Sequence, residues 1–434
     1  MSATMSPTRH ALLTSLLLLA ACRGEVEVGS PERARPDLIA PVADMTGADL
    51  ADEADVAPDL DSADIADMDE ADQPRTYEPI VDRADLDAEL AQISGADAVR
   101  YMSRVAPMLV GRTLTLAEID ALEAGSGLSI RPMLAAWVRE PGFAQAARMF
   151  VQVKLGASGQ RDGIDFELPG NLAHKLVSDD RPWSELVTAE TCVDAAGAPM
   201  ACDTGAPYTA GVLTTRAFLA GNVSRFNLRR ASTLMRAFAC RGYPMEATLQ
   251  PPLNPAVLIP MFRAQTAEEQ VVEEARAGFG NGLACYSCHS QFGAHAQLFV
   301  RYDEGGVWRG DATGLQDPNG ELGRSDRGLF TSHMADPSEA SSEDSQMFGR
   351  AVANLREAGL ILASSDVFQT CMTRNLVEFG FGITETQAAK LNRVVIDEIV
   401  SLARATQADP TLGQLTTETF AHPSIVQIIT GAQR

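Results

Sequence analysis

The run Cys285-Tyr286-Ser287-Cys288-His289 constrains this chain more than any other feature. Two thiols at this spacing, with an imidazole directly after the second, match the geometry of covalent haem attachment. Both sulfurs can bond to the vinyl groups of one macrocycle while the histidine reaches its iron. A zinc ribbon would need a second ligand pair at similar spacing, and none follows. A thioredoxin-like dithiol would need a βαβ setting, which the helical periodicity of this chain does not offer. The motif therefore predicts one covalent haem c on Cys285 and Cys288, with His289 as the proximal iron ligand. On a helix, Cys285 and His289 share one face.

The first residues agree with that chemistry. Arg9 and His10 precede an apolar run from Ala11 to Ala21, too short to span a bilayer as a stable helix. Leu19-Ala20-Ala21-Cys22 resembles the bacterial lipobox, so residues 1–21 are expected to be a lipoprotein signal peptide and Cys22 the acylated N-terminus. The bland alternative is an ordinary signal peptide that leaves Cys22 a free thiol. Each buried acyl methylene would contribute about 0.8 kcal/mol to anchoring in the membrane. Arg23, with no Asp beside the cysteine, resembles an outer-membrane address, facing either the periplasm or the cell surface.

Charge is unevenly spread. The net charge is −23, and between Ala43 and Gln73 every charged residue is acidic. Such an Ala/Asp-rich stretch repels itself and has little to bury, so residues 22–76 are expected to form a disordered acidic tether. The acidic balance, and the lack of a basic patch with interleaved aromatics, argue against nucleic acid as a partner.

The seven cysteines divide without remainder. Cys22 would take lipid, and Cys285 and Cys288 the haem. Cys192 and Cys202 bracket a short Gly/Ala/Pro loop suited to a local disulfide. Cys240 and Cys371 would then pair over a long loop, tying the stretch before the motif to the C-terminal helices. Buried free thiols are the other reading, but an even remainder in an oxidising compartment favours bonds.

The folded body is expected to begin near Tyr77 and to be mostly α, with long loops and scarce alternating runs. Three stretches are expected: an N-terminal helical domain at 77–205, the haem-motif region at 206–340, and a C-terminal helical domain at 341–434. Val99, Met102, Val105 and Leu109 form a helical stripe over 97–110. Thr115 with Glu118 and Thr266 with Glu269 read as capping boxes. Further helices are predicted at 128–140, 142–156, 182–189 (behind Asp180 and Pro182), 224–240, 343–357, 365–379, 385–406 and 423–430. The span 302–341, rich in Gly, Asp, Pro and Ser, reads as loop.

For the opposite side of the iron, Met334 in the loop after the motif is the leading candidate. His333, His295, Met347 and an open site are the others, while Met372 reads as core filling. Arg225, Arg229 and Arg230 could face haem propionates or solvent. Asp303 and Glu304, before Gly305-Gly306, could simply shape a turn.

With these residues in view, the chain resembles the planctomycete-type cytochrome c-like domains of exported bacterial proteins. The likeness rests on Gly211 to Leu219 with Arg229-Arg230 and Phe238-Ala239-Cys240, and on Ala284 to His289 with Tyr302 to Arg309. It continues in Ser364 to Cys371 and on to Glu378-Phe379-Gly380. Leu109 to Glu118 and Asp180 to Leu186 look like the helical domain that often precedes such units. Gln291-Phe292-Gly293-Ala294 departs from the Asp-Pro-x-Gly that usually trails the motif. The resemblance implies a helical cytochrome c-like body. The whole reading is a membrane-anchored c-type cytochrome that transfers single electrons to or from other exported redox proteins. A haem enzyme or sensor with an open iron, and a structural or polymer-binding lipoprotein braced by haem, are the alternatives.

Overall fold

Apolar residues recurring at three- and four-residue intervals make this a helical fold. In the computed structural model of the protein, the residues described are 78–223, 227–243, 295–310, 343–383 and 391–430. They are mostly helical with a few short strands, and all fall within one compact unit. The expected signal peptide and tether lie outside them, as does the second capping box at Thr266 and Glu269.

The N-terminal part contributes α1 (Arg83–Leu90), α2 (Gly95–Leu109), α3 (Leu116–Gly125), α4 (Ile130–Trp137), α5 (Pro141–Leu155), α6 (Leu168–Ser178) and α7 (Glu185–Thr188). Then come α8 (Arg216–Gly221) and α9 (Leu228–Ala239). The C-terminal part contributes α10 (Leu355–Ser364), α11 (Asp366–Phe381), α12 (Arg393–Thr406), α13 (Leu412–Phe420) and α14 (Pro423–Thr430). Three antiparallel hairpins punctuate them: β1 (Gln160–Arg161) with β2 (Ile164–Asp165), β3 (Cys192–Val193) with β4 (Pro199–Met200), and β5 (Ser345–Met347) with β6 (Arg350–Val352).

Helix α2 shows how sequence becomes packing. Ser94 caps it by accepting from the Asp97 amide, and Ala98, Tyr101, Met102, Val105 and Leu109 present one buried face. That face meets α3, α5, α11 and α14. The Tyr101 hydroxyl donates to the Phe420 carbonyl at 2.8 Å, so the second helix is stitched to the end of the thirteenth. Gly380 lets the rings gather there, since a Cβ on it would lie 2.4 Å from the Phe420 ring. Among the described residues the main hydrophobic cluster runs from Leu90 to Val426, through all three of the expected stretches, with smaller clusters at Ala231/Ala296 and at Val377/Ile399/Ile425.

The capping box at Thr115 and Glu118 forms as read, each side chain bonding the other residue's amide. The Glu118 carboxylate also accepts from Arg112 at 2.8 Å and from the Trp137 indole at 2.6 Å. The Arg112 hydrogen bonds come first among the influences that hold this carboxyl down at about 2.

Two predicted helices are corrected. Residues 343–357 do not form one helix. Phe348 and Gly349 both take positive φ, 51° and 77°, which is the backbone of a tight hairpin turn. That turn makes β5–β6, and α10 starts only at Leu355, where Asn354 accepts from the Arg356 and Glu357 amides. The helix expected over 182–189 shrinks to α7. Its opening is drawn out because Pro182 bridges to Thr411 and the Trp183 amide donates to the Pro410 carbonyl at 3.0 Å. Helices α1, α6, α8 and α13 carried no prediction. For α13 a local signal existed, since Thr411 and Gln414 form a second reciprocal cap.

Candidate functional site

The chain closes on itself around the stretch 295–310, which follows the Cys-x-x-Cys-His run in sequence. Tyr243 and His295, on either side of residues 244–294, are bonded to each other: the Tyr243 hydroxyl lies 2.6 Å from His295 Nδ1. Glu343, the first described residue after 311–342, has a carboxylate oxygen 3.9 Å from Arg301 Nε. Arg301 in turn donates to the Gly310 carbonyl at 2.8 Å. The described residues that flank 244–294 and 311–342 thus belong to one patch around 295–310.

That patch is braced by two disulfides. Cys240 joins Cys371, tying the end of α9 to α11, and Cys192 joins Cys202 across the β3–β4 hairpin. The Asn375 amide donates to the Ala237 carbonyl at 2.8 Å beside the first bond. The bland reading of free thiols does not describe these four residues.

The stretch 295–310 is locked from within. Ala296, Leu298, Phe299, Val300 and Tyr302 are buried, and the Phe299 ring packs on Phe218 at 6.1 Å. Asp303 and Glu304 open a turn in which the Asp303 side chain accepts from the Val307 amide at 2.9 Å. Gly306, at φ +75°, passes so close to α8 that a Cβ would lie 2.9 Å from that of Leu219. The Trp308 amide donates to the Thr204 carbonyl at 2.8 Å, and Asp303 pairs with Arg309.

Arg230 holds this turn to α8 and is corrected from the expected role. Its guanidinium is fully buried and faces neither solvent nor an open space for propionates. It donates to the Leu219 carbonyl (2.8 Å), the Tyr302 carbonyl (2.8 Å), the Asp303 carbonyl (2.5 Å) and Asn227 Oδ1 (3.1 Å). Burial pulls its pKa down to about 10. Arg225 lies outside the described residues.

Cys22, Cys285, Cys288, His289, His333 and Met334 all lie outside the described residues as well. Of the other iron-ligand candidates, Met347 is fully buried in β5 and belongs to the hydrophobic core, as does Met372. His295 is different. Burial, reinforced by the charge of Arg241, lowers its pKa to about 4, so the imidazole is neutral at ordinary pH. Among the described residues no three His, Cys, Asp or Glu side chains gather as a metal site. No described helix is long and apolar enough to cross a membrane.

Sequence reasoning missed a second feature of the patch. Tyr302 donates to the Tyr208 hydroxyl at 3.0 Å, and Tyr208 donates to a Glu343 carboxylate oxygen. Burial raises the proton affinity of all three groups. Tyr302 stands in a stretch that the sequence singled out, but nothing local marks Tyr208 or Glu343 as its partners. Compared with protein-family models, with curated proteins and with solved structures, the chain finds no match.

Proposed function

We propose that the protein is an exported, lipid-anchored c-type cytochrome that carries one covalent haem and passes single electrons. The observation that carries this reading is the cysteine tally. Four of the seven cysteines are consumed by Cys192–Cys202 and Cys240–Cys371. Those remaining are Cys22, at the lipobox-like site, and the pair in Cys-x-x-Cys-His. Each disulfide removes a competing partner for Cys285 and Cys288, which supports thioether attachment as their role.

Within that reading, Cys285 and Cys288 would hold the macrocycle, and His289 and Met334 would bind its iron. The haem supplies reversible one-electron chemistry. This chain's own residues supply position: the disulfide between Cys240 and Cys371 and the Tyr243–His295 bond anchor the motif segment at both ends. Arg230 is not available to propionates, because its hydrogen bonds are directed to carbonyls and Asn227. The body is cytochrome c-like in this reading. The acidic tether sets its reach from an outer-membrane anchor at Cys22, and the partners are exported redox proteins.

The test is the absorption spectrum of the protein purified from a host with haem-attachment machinery. A low-spin oxidised form with a thioether-to-iron charge-transfer band, lost in Met334→Ala, is the expected result. High-spin iron that binds carbon monoxide would overturn the carrier reading in favour of a haem enzyme or sensor.

A further inference from the structure

Among the described residues, the chain Tyr302–Tyr208–Glu343 joins two phenols in series to a carboxylate. Tyr302 is fully buried, Glu343 is buried, and Tyr208 is half-buried between them. The Tyr208 oxygen accepts from Tyr302 and gives its own hydrogen to Glu343. We infer that Tyr208 is a redox-active residue: it yields one electron to a strong, peroxide-derived one-electron oxidant while its phenolic proton crosses to Glu343.

The step balances. The O–H bond of Tyr208 breaks and an O–H bond forms on the Glu343 carboxylate. The electron reduces the oxidant, and a neutral phenoxyl radical remains, still accepting a hydrogen bond from Tyr302. The proton leaves with the electron, because an oxidised phenol is a far stronger acid than a carboxylic acid and Tyr208 already donates to the Glu343 carboxylate. The acceptor suits the task. Burial raises the proton affinity of Glu343 and outweighs the Tyr208 hydrogen bond and the Arg301 charge, which oppose it, so the carboxylate can take a proton through an existing hydrogen bond.

The same reasoning excludes Tyr101 and Tyr243. Tyr101 donates to the Phe420 carbonyl, which is no base. Tyr243 faces His295, but burial and the Arg241 charge both resist a second proton on that ring. The inference is independent of the haem reading, because its test uses a soluble oxidant and a readout that does not involve haem.

The experiment is flash oxidation of the full-length protein by photogenerated tris(bipyridine)ruthenium(III), followed by freeze-quench EPR at mildly alkaline pH. A neutral tyrosyl radical is expected, lost in Tyr208→Phe and retained in Tyr101→Phe and Tyr243→Phe. Glu343→Gln should slow its formation by roughly a hundredfold, the lower end of what a positioned base contributes. The solvent deuterium isotope effect should shrink in the same variant, and formation should slow as pH falls through the raised pKa of Glu343. A radical that persists undiminished in Tyr208→Phe would overturn the inference, as would wild-type kinetics in Glu343→Gln. Should Tyr208→Phe fail to fold, a nitroso spin-trap adduct located by peptide mass spectrometry in the unaltered protein decides. An adduct on Tyr208 supports the assignment, and adducts confined to other tyrosines refute it.

Discussion

Replacing Arg230 by leucine perturbs the patch most cleanly. Four hydrogen bonds disappear at once, to the Leu219, Tyr302 and Asp303 carbonyls and to Asn227. A hydrogen bond to a charged group contributes about 1.5–3 kcal/mol, so four independent ones would amount to about 6–12 kcal/mol. They are not independent, and leucine also removes the cost of burying a charge, which the depressed pKa of about 10 registers. What remains is the cost of buried acceptors left without a donor, about 1–3 kcal/mol each, so a net loss of about 3–5 kcal/mol is expected. Urea unfolding followed by circular dichroism should show this as a lower midpoint with little change in slope. Amide exchange should speed up first in 295–310, whose turn the guanidinium holds. Arg230→Lys should recover only part of the loss, since a point charge cannot match a planar fork. A destabilisation under about 1 kcal/mol would refute the reasoning, because that is the range of an ordinary surface change.

Three further outcomes follow from the same structure. Removing the Cys240–Cys371 bond by a double serine substitution should cost about 5 kcal/mol by the chain-entropy model for a separation of 131 residues. Removing Cys192–Cys202, with a separation of 10, should cost about 3 kcal/mol, and thermal unfolding of the two variants checks the order. His295 has a folded pKa depressed from 6.5 to about 4, so its contribution is complete above 6.5 and is lost as pH falls toward 4; His295→Gln should flatten that part of the stability–pH curve. Glu118 is held down from 4.5 to about 2, so its contribution is lost as pH falls between those values, and Glu118→Gln should destabilise the protein at neutral pH and flatten its acid-unfolding profile there.

What could be read from the residues was what depends on near neighbours. The Thr115–Glu118 cap and the stripe of α2 both involve groups within a turn of each other. The cysteine pairing was legible by count, although its partners are far apart in the chain. The β5–β6 hairpin was missed because Ser345-Gln346-Met347 carries no alternation, and its only mark is the Phe348-Gly349 turn. Neither role open to Arg230, propionates or solvent, describes it, because its acceptors are backbone carbonyls and Asn227, which no sequence pattern displays. Tyr208 and Glu343 meet only because the loop between β4 and α8 and the approach to β5 fold onto the same turn at Tyr302. The motif and Met334 lie in stretches outside the described residues, so that part of the reading rests on the sequence.

The intact mass of the mature protein, made where haem attachment is available, bears most directly on the central claim. The account predicts an increment of one haem that survives denaturation and is lost in the Cys285→Ala/Cys288→Ala variant. A mature polypeptide that folds with both disulfides formed and carries no such addition would contradict it.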